Sequence, residues 1–424
     1  MSVFLVILFA CFLIVTTVLC WAARSAAGRS TADAALALAG RSVLSEYDTR
    51  LLADYGLLAF KGDEQRIEDD IRYYAGATLD PAQPRYAAFR SREAHTDTVC
   101  PQLESVTANL KGYSLLDLDI FEGQVTKAAA GEWAKGKLAG AGGGEGGEGG
   151  GEGRTLRNKA VLCTLPSAGY DGPLFPSIAG AADLPKGAGI ASNASAAALT
   201  GEYILSAFTD HQSAGAALDG HFFRHEAEYV IAGKKGDEAN YKDIKWRLRL
   251  IRMALNTEAI EMDQGKRQQL ENLSNLAGPY KGIALSAMIS CWAAAETHND
   301  MMRLEDGDKV ALLKTKAQWA LNDPGEIFGS LGGGIASAIG PALGFEYGDT
   351  AVAPQDASGL DYEGYLRVLL LMLDRETKLL RMMDIIQINM KERYRGDFLL
   401  REYYTGFRFE AVVGGDKFSY EETY

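Results

Sequence analysis

Histidine and carboxylate side chains are concentrated between residues 210 and 226. Asp210 and His211 are adjacent, His221 and His225 are four residues apart, and Glu226 follows directly. On a helix, two histidines with this spacing share a face and can bind one zinc ion. The chemistry of this stretch therefore depends on whether it is a helix or a strand.

The alternation of side chains from 221 to 231 favours a strand. Phe223, His225, Ala227, Tyr229 and Ile231 fall on one face, and charged residues fall on the other. Four residues of strand separate two Cα atoms by about 13 Å, too far for both histidines to bind one ion. The sequence therefore predicts neither a metal site nor a metal cofactor here.

Other catalytic signatures are absent from the sequence. It contains no GxSxG, HExxH, P-loop, EF-hand or Rossmann pattern. Acidic pairs such as Asp69–Asp70 and Glu421–Glu422 have no partner motif and are typical of solvated charges. We expect no catalytic residues, no cofactor and no enzymatic activity, which leaves an exported hydrolase as a remote alternative.

Charge and cysteine content narrow the class of protein further. The 43 basic and 56 acidic residues give a net charge of −13, which disfavours nucleic acid as a partner because phosphate contacts need clustered Lys and Arg. Outside the N-terminal apolar run, Cys100, Cys163 and Cys291 are scattered, and three cysteines cannot form a closed disulfide framework. Buried or reduced thiols are expected, although one disulfide pair is possible.

The N-terminus predicts a membrane anchor. Val3 to Ala23 is uncharged over 21 residues, and a helix of that length spans about 31 Å, close to the thickness of a bilayer core. A cleavable signal peptide has a basic start and a shorter apolar run, so we expect an uncleaved, single-pass anchor. Arg24, Arg29 and Arg41 follow the span, and the positive-inside rule would place the following domain in the cytoplasm.

Helical spacing continues beyond the anchor. Apolar residues recur three, four or seven apart from 36 to 58, and Gly56 is a good residue to end a helix. One continuous helix would run about 53 residues, or about 80 Å; the alternative is two helices broken near Gly28. The junction with the following domain is expected at Tyr47, Asp48, Tyr55, Gly56 and Phe60.

The remainder predicts an α+β, helix-dominated fold with few short strands. We expect an anchor at 1–23, an amphipathic extension and junction at 24–60, and one domain at 61–424. Flexible loops are expected at about 139–155, 166–198 and 325–358, the first because it contains ten glycines and three glutamates between 139 and 153. The other predicted elements are helices at 63–77, 115–138, 240–262, 266–276, 280–298 and 361–391, and strands at 103–113, 221–231, 309–314, 407–413 and 418–420.

Several runs resemble an uncharacterised family of single-span membrane proteins of Gram-positive bacteria. That family is associated with tight-adherence (Flp-type) pilus genes, whose minor pseudopilins have a similar N-terminal plan. Near the N-terminus, the resemblance rests on Glu46-Tyr47-Asp48, Tyr55-Gly56-Leu57 and Ala59-Phe60. Further runs that resemble the family are EAEYVIAGKKGDEANYKDIKWRLRLIRMALN at 226–256, VALLKTKAQW at 310–319 and LDYEGYLRVLLLMLDRETKLLRMMDIIQINM at 360–390.

The resemblance implies an extracytoplasmic domain on a membrane anchor, against the charge rule, and we adopt that orientation. It implies a non-enzymatic, pseudopilin-like component of a pilus assembly or secretion machine, with other pilus or pseudopilin subunits and the membrane platform as partners. The alternative is a stand-alone anchored adhesin or ligand-binding ectodomain. The sequence shows no prepilin leader, and its apolar run contains no glutamate. We therefore do not expect prepilin processing or polymerisation.

Overall fold

The structure is a computed structural model. It describes residues 2–79, 102–131, 154–156, 159–169, 190–213, 221–322 and 351–424. The glycine run, Cys100 and most of the predicted loop at 325–358 lie outside these residues. The described chain forms two compact units: Met1–Ala128 with Asp397–Tyr424 (unit 1), and Ala129–Gly396 (unit 2). This differs from the single domain expected from 61 to 424, because the C-terminal strands belong with the N-terminal helix.

Unit 1 is built on one long helix. Helix α1 (Ser2–Leu44) passes through Gly28 and Gly40 without a break, so the alternative of a break near Gly28 is wrong. It ends at Leu44 instead of continuing to Tyr55. A short turn follows, and Asp48 begins a separate helix, α2 (Thr49–Tyr55).

Two small sheets complete unit 1 with further helices. The first pairs two short strands, and the second has the antiparallel order β2–β4–β5. The remaining elements are β1 (Phe60–Lys61), α3 (Glu64–Leu79), β2 (Leu103–Asn109), α4 (Leu118–Ala130), β3 (Tyr403–Tyr404), β4 (Gly406–Val413) and β5 (Asp416–Thr423).

The C-terminal hairpin confirms the alternation read from the sequence. In β4, Phe407, Phe409, Ala411 and Val413 are buried and Arg408 and Glu410 are exposed. Gly414 and Gly415 both have positive φ, 58° and 81°, which suits the tight turn before β5. The buried face of β4 joins that of β2 and one face of α3 in a single apolar core.

Unit 2 is almost entirely helical in the part of the chain that the structure describes. Its longest helices are antiparallel neighbours, joined at one end by a shorter helix and a 3-10 turn. The helices are α5 (Lys159–Leu162), α6 (Ile190–Ala207), α7 (Glu226–Ala232), α8 (Asp237–Met262), α9 (Gln264–Ser274), α10 (Lys281–Glu305), α11 (Tyr362–Met372) and α12 (Arg375–Arg393).

Three predictions for unit 2 are wrong. The predicted strand at 221–231 is an irregular segment followed by α7, every residue of which is buried. A helix buried on all sides has no polar face, so its sequence gives no period of 3.6. The predicted strand at 309–314 is reduced to one bridge, Val310 with Leu360. The loop predicted at 166–198 contains a 3-10 turn at Pro166–Gly169 and the start of α6.

The last predicted helix is divided into two. Asp361 caps α11 as expected, by accepting a hydrogen bond from the Gly364 amide at 2.8 Å. Leu373 then adopts an extended conformation, and Asp374 accepts from the Thr377 amide at 3.1 Å to begin α12. A side chain that caps an amide competes with helix continuation, and this explains the break inside an apolar run.

Candidate functional site

The first half of α1 has the properties of a membrane span. Its apolar side chains are exposed from Phe4 to Trp21. The helix is long and apolar enough to cross a bilayer, and its most apolar 18-residue segment is not buried against the rest of the protein. A signal sequence meets the same criteria of length and composition. Val3 and Ala23, the predicted ends of the anchor, both lie inside this unbroken helix.

The second half of α1 is part of the core of unit 1. Ala32, Ala35, Leu36, Ala39 and Val43 are at most 2% exposed. They belong to the same cluster as the inward side chains of β2, β4 and α3. Three alanines at this interface allow the helix axis to approach the sheet closely. One helix therefore carries two surfaces, one facing lipid or solvent and one facing the domain.

The C-terminal strand fastens this half of α1 at three places. The Tyr420 hydroxyl donates to Asp33 Oδ1 at 2.5 Å, and the Tyr424 hydroxyl donates to the Leu44 carbonyl. Arg29 lies 3.6 Å from Asp416, with both side chains largely exposed. These contacts join the beginning and the end of the sequence in one unit.

Three of the predicted junction residues, Tyr47, Asp48 and Phe60, contact the C-terminal strands of unit 1. Asp48 accepts hydrogen bonds from the amides of α2 through Oδ1 and from the Tyr403 hydroxyl through Oδ2. Tyr47 packs edge-on against Tyr424, with ring centroids 6.4 Å apart, and Phe60 packs against Tyr424 at 6.5 Å. The junction thus contacts the last strand of unit 1.

Tyr55 and Gly56 end α2 in the way that the sequence indicates. Tyr55 is 4% exposed and Gly56 has φ 66° and ψ 16°, the left-handed conformation of a helix-ending glycine. The Gly56 amide donates to the Leu52 carbonyl at 2.8 Å. Glycine is required here because a side chain is strained at this φ.

The histidines of unit 2 are arranged differently from the predicted strand. His221 contacts Glu226, with 2.8 Å between Nδ1 and Oε2, whereas His225 pairs with His211, with 3.2 Å between Nε2 and Nδ1. His211 also stacks on Tyr241 at 3.9 Å between ring centroids. Within the described residues no group of three or more His, Cys, Asp or Glu side chains could hold a metal ion.

The hydrogen bonds indicate which nitrogen carries the proton when both rings are neutral. His225 Nδ1 faces the Asp237 carbonyl oxygen at 3.4 Å, which can only accept, so Nδ1 carries the proton. His225 Nε2 then accepts from His211 Nδ1, and His211 Nε2 keeps its lone pair. Burial, and next the proximity of His225, lowers the pKa of His211.

Glu228 lies beside this pair at the centre of α7. Its Oε1 accepts hydrogen bonds from the Tyr362 hydroxyl at 2.8 Å and from the His211 amide at 2.9 Å. Its Oε2 is buried without a partner in the structure. Burial, assisted by Asp210, raises the pKa of Glu228 to about 8. At neutral pH this side chain is mainly a neutral carboxylic acid.

A second carboxyl group is held at the other face of α7. Asp384 on α12 accepts from the Ser167 hydroxyl at 2.5 Å and from the Tyr229 hydroxyl at 3.0 Å. Burial raises the pKa of Asp384 to about 6. Arg381, one turn earlier, donates to the carbonyl oxygens of Val230 and Ile231 at the end of α7.

A buried lysine occupies an aromatic cage at the other end of unit 2. Lys266 is 7% exposed, and its Nζ lies 3.3 Å from the ring centroid of Trp319 and 4.6 Å from that of Trp292. None of the described residues forms a hydrogen bond with its Nζ. Burial lowers the pKa of Lys266 to about 7, so the cage holds an amine that is partly neutral at physiological pH.

Sequence reasoning identified the histidines and the junction, but not Glu228, Asp384 or Lys266. All three are ionisable residues inside helices, where such residues usually face solvent. Arg252 shows the same difficulty. It is a charged residue inside a helix, yet it is fully buried and donates to Asp300 and Asn256.

Comparison with known proteins now adds the family. A model for a family of unknown function, DUF5702, matches residues 157–415. The chain belongs to this family. The matched region covers most of the described part of unit 2 and reaches into the C-terminal strands of unit 1. No curated protein and no solved structure matches the chain.

Proposed function

We propose that this DUF5702 protein is a non-enzymatic, membrane-anchored, pseudopilin-like component of a tight-adherence pilus assembly or secretion machine. The observation that carries the proposal is the double use of α1. Residues before about 24 expose an apolar surface, and residues 32–43 are buried against an antiparallel sheet. This plan of one helix shared by membrane and domain is the one that the resemblance to pseudopilins leads us to expect.

The continuity of α1 supports retention of the anchor. The helix has no break between its apolar half and its packed half, so a force on the membrane segment passes directly into the core of unit 1. Trp21 is 72% exposed near the end of the apolar run, where aromatic side chains prefer the interface between lipid and water. We propose an extracytoplasmic location for the domain on the strength of the family resemblance.

The proposed partners are other single-span subunits and the membrane platform. Without a hydrophobic driving force inside lipid, helices associate through close packing and small residues. Ala10, Cys11 and Thr17 provide small side chains among the larger ones of the exposed run. We expect the anchor to lie beside the helices of such subunits.

Gene deletion with controlled complementation tests the proposal. Deletion should reduce piliation, adhesion or secretion, and the wild-type chain should restore them. A matched chain in which residues 2–23 are replaced by a cleavable signal peptide should release the same domain and fail to restore them. Unchanged pili, adhesion and secretion in the deletion strain would contradict the proposal, and protease protection of a C-terminal tag would determine the topology.

A second candidate function, an anchored adhesin or ligand-binding ectodomain, is favoured by exposed apolar residues in unit 2. Leu276 is 88% exposed, Tyr280 69% and Ile283 68%, all at the turn between α9 and α10. Replacing the three by Ser should abolish surface-ligand binding if this function is correct. If instead pilus subunits are captured, and equally by wild type and variant, the first function is favoured.

A further inference from the structure

Three charged side chains meet in the interior of unit 2. Lys314, in the segment between the Val310 bridge and the next 3-10 turn, directs its Nζ to Glu296 Oε1 and to Asp300 Oδ1, the latter at 2.5 Å. The Lys314 side chain is 1% exposed, and both carboxylates are 0% exposed. Glu296 and Asp300 are one turn apart on α10, so both face the amine from the same side.

The two carboxyl groups have different surroundings. Asp300 Oδ2 accepts from Arg252 Nε at 3.0 Å, from Arg252 Nη2 at 2.9 Å and from Asn256 Nδ2 at 3.0 Å. These are charge-assisted hydrogen bonds to one oxygen of Asp300, and its other oxygen faces Lys314. In Glu296, Oε1 accepts from the Ala320 amide at 3.0 Å and Oε2 accepts from the Leu321 amide at 2.9 Å.

Each carboxyl oxygen of Glu296 has one of these amides as a donor, so the oxygen that develops negative charge faces a fixed backbone N–H group. Backbone N–H groups fixed in a dry site stabilise the tetrahedral intermediate of acyl transfer. Trp319 excludes water from the same place, with its ring centroid 5.3 Å from Lys314 Nζ, and Trp292 fixes the neighbouring chain by donating to the Leu321 carbonyl at 2.8 Å. Glu296 is thus placed to act as the acyl group, and Asp300 is placed to act as the base.

We propose that Lys314 and Glu296 condense to an intramolecular amide, an isopeptide cross-link, with Asp300 as the proton-transfer group. The proposed function does not require this bond, so the two proposals can be tested independently. The reactants are an amine and a carboxyl group held in contact by the fold, which removes the entropic barrier of bringing them together.

The reaction balances without a co-reactant. A proton passes from the Lys314 ammonium to the Glu296 carboxylate, and the neutral Nζ attacks the Glu296 carboxyl carbon. Asp300 Oδ1 accepts the second proton from Nζ and returns it to the departing hydroxyl group, so that the C–N bond forms, one C–O bond breaks and one water molecule leaves. The product is a neutral amide, and Asp300 is regenerated as an anion.

The buried setting favours the amide over the ion pair. Two charges without water carry a large desolvation penalty, and replacing a buried ion pair by neutral groups is often neutral or stabilising. The product leaves Arg252 with Asp300 as a balanced pair. The bond would tie the middle of α10 to the segment at 309–321.

Mass spectrometry of the full-length, detergent-solubilised protein tests the proposal. The denatured wild-type chain should be lighter than the Lys314→Arg chain, after correction for the substitution, by the mass of one water molecule. Trypsin should release a branched product that joins residues 282–303, which contain Glu296, to residues 310–316, in which cleavage after Lys314 is blocked. Fragmentation should locate the branch at Glu296.

The decisive measurement, the tryptic peptide analysis, needs only the wild-type chain, so a folding defect in a variant cannot obscure it. Recovery of 310–314 as an ordinary linear peptide from the wild type, together with full sequence mass, would overturn the proposal. A branch at Asp300 would overturn the assigned roles of the two carboxyl groups. Asp300→Asn should leave the chain unlinked while circular dichroism remains helical, and linkage at the wild-type level in this variant would exclude Asp300 as the proton-transfer group.

Discussion

The Tyr403 hydroxyl donates a hydrogen bond to Asp48 Oδ2 at 3.1 Å, between residues 355 positions apart. The other oxygen of the same carboxylate accepts from the amides of Arg50 at 3.0 Å and Leu51 at 3.2 Å. One side chain therefore begins helix α2 and fastens it to β3. The junction at the end of the long helix depends on this carboxylate.

We expect Asp48→Ala to destabilise unit 1 more than Tyr403→Phe does. Asp48→Ala removes an N-cap and a long-range hydrogen bond, a loss of about 2 kcal/mol in the free energy of unfolding, whereas Tyr403→Phe removes only the second, about 1 kcal/mol. Hydrogen–deuterium exchange of residues 49–61 and denaturant unfolding would measure both. Equal losses in the two variants would show that Asp48 is not acting as a cap.

Gly56→Val should destabilise the junction through the backbone. A side chain at φ 66° is strained, which costs about 1–3 kcal/mol, and a β-branched residue lies at the upper end. Asparagine tolerates this conformation better, so Gly56→Asn is the matched control and should lose less. Thermal unfolding and membrane localisation would test the pair; a Val variant as stable as the Asn variant would contradict the need for glycine.

A chain that begins at Ser25 should be soluble and folded, whereas one that begins at Ser45 should not. The first removes the exposed apolar half of α1. It keeps the inward-facing residues of the second half, which are at most 2% exposed: Ala32, Ala35, Leu36, Ala39 and Val43. The second exposes the apolar face of the sheet that these residues cover. Size-exclusion chromatography and circular dichroism would compare them, and a monomeric Ser45 form would show that α1 is dispensable to the core.

Patterns with one buried face were predictable from sequence, and fully buried elements were not. The apolar N-terminal helix, the hairpin with Phe407 and Phe409, the Asp361 cap and the helix-ending Gly56 all follow from local spacing or local conformation. In contrast, α7 is buried on every side, and its Glu226 and Glu228 alternate with apolar residues as in a half-buried strand. The charged groups inside unit 2 meet through long-range packing of α8 against α10 and of α12 against α7, which no local pattern records.

Lys266→Met should stabilise unit 2 at low pH and lose that advantage as the pH rises. Burial lowers the pKa of Lys266 from 10.5 to about 7, so the unfolded chain binds more protons between these values and wild-type stability increases with pH there. Below pH 7 the gain from methionine should be on the order of a few kcal/mol. The matched control is Lys316→Met, because that lysine is 81% exposed.

Denaturant unfolding of both variants at pH 6 and pH 9 would test this prediction. The aromatic cage of Trp292 and Trp319 should accept the methionine side chain without a cavity of consequence. A Lys266→Met variant less stable than wild type at pH 6 would show that the cation–π contacts outweigh the desolvation of the ammonium group.

Wild-type stability should fall as the pH rises from 4.5 towards 8 because Glu228 ionises, and Glu228→Gln should not show this fall. Burial raises the pKa of Glu228 from 4.5 to about 8, so the folded state binds more protons than the unfolded state in this window. Its contribution is fully present below pH 4.5 and is lost as the pH passes through 8. Glutamine keeps an oxygen for the Tyr362 hydroxyl and the His211 amide and cannot ionise.

The variant should therefore equal the wild type near pH 4.5 and exceed it by a few kcal/mol near pH 8. Glu238→Gln is the matched control because its carboxylate is 69% exposed on α8, and it should leave the pH profile unchanged. The free energy of unfolding at closely spaced pH values would give the two curves. A Glu228→Gln curve parallel to that of the wild type would mean that Glu228 is ionised in the folded protein, with its buried Oε2 solvated.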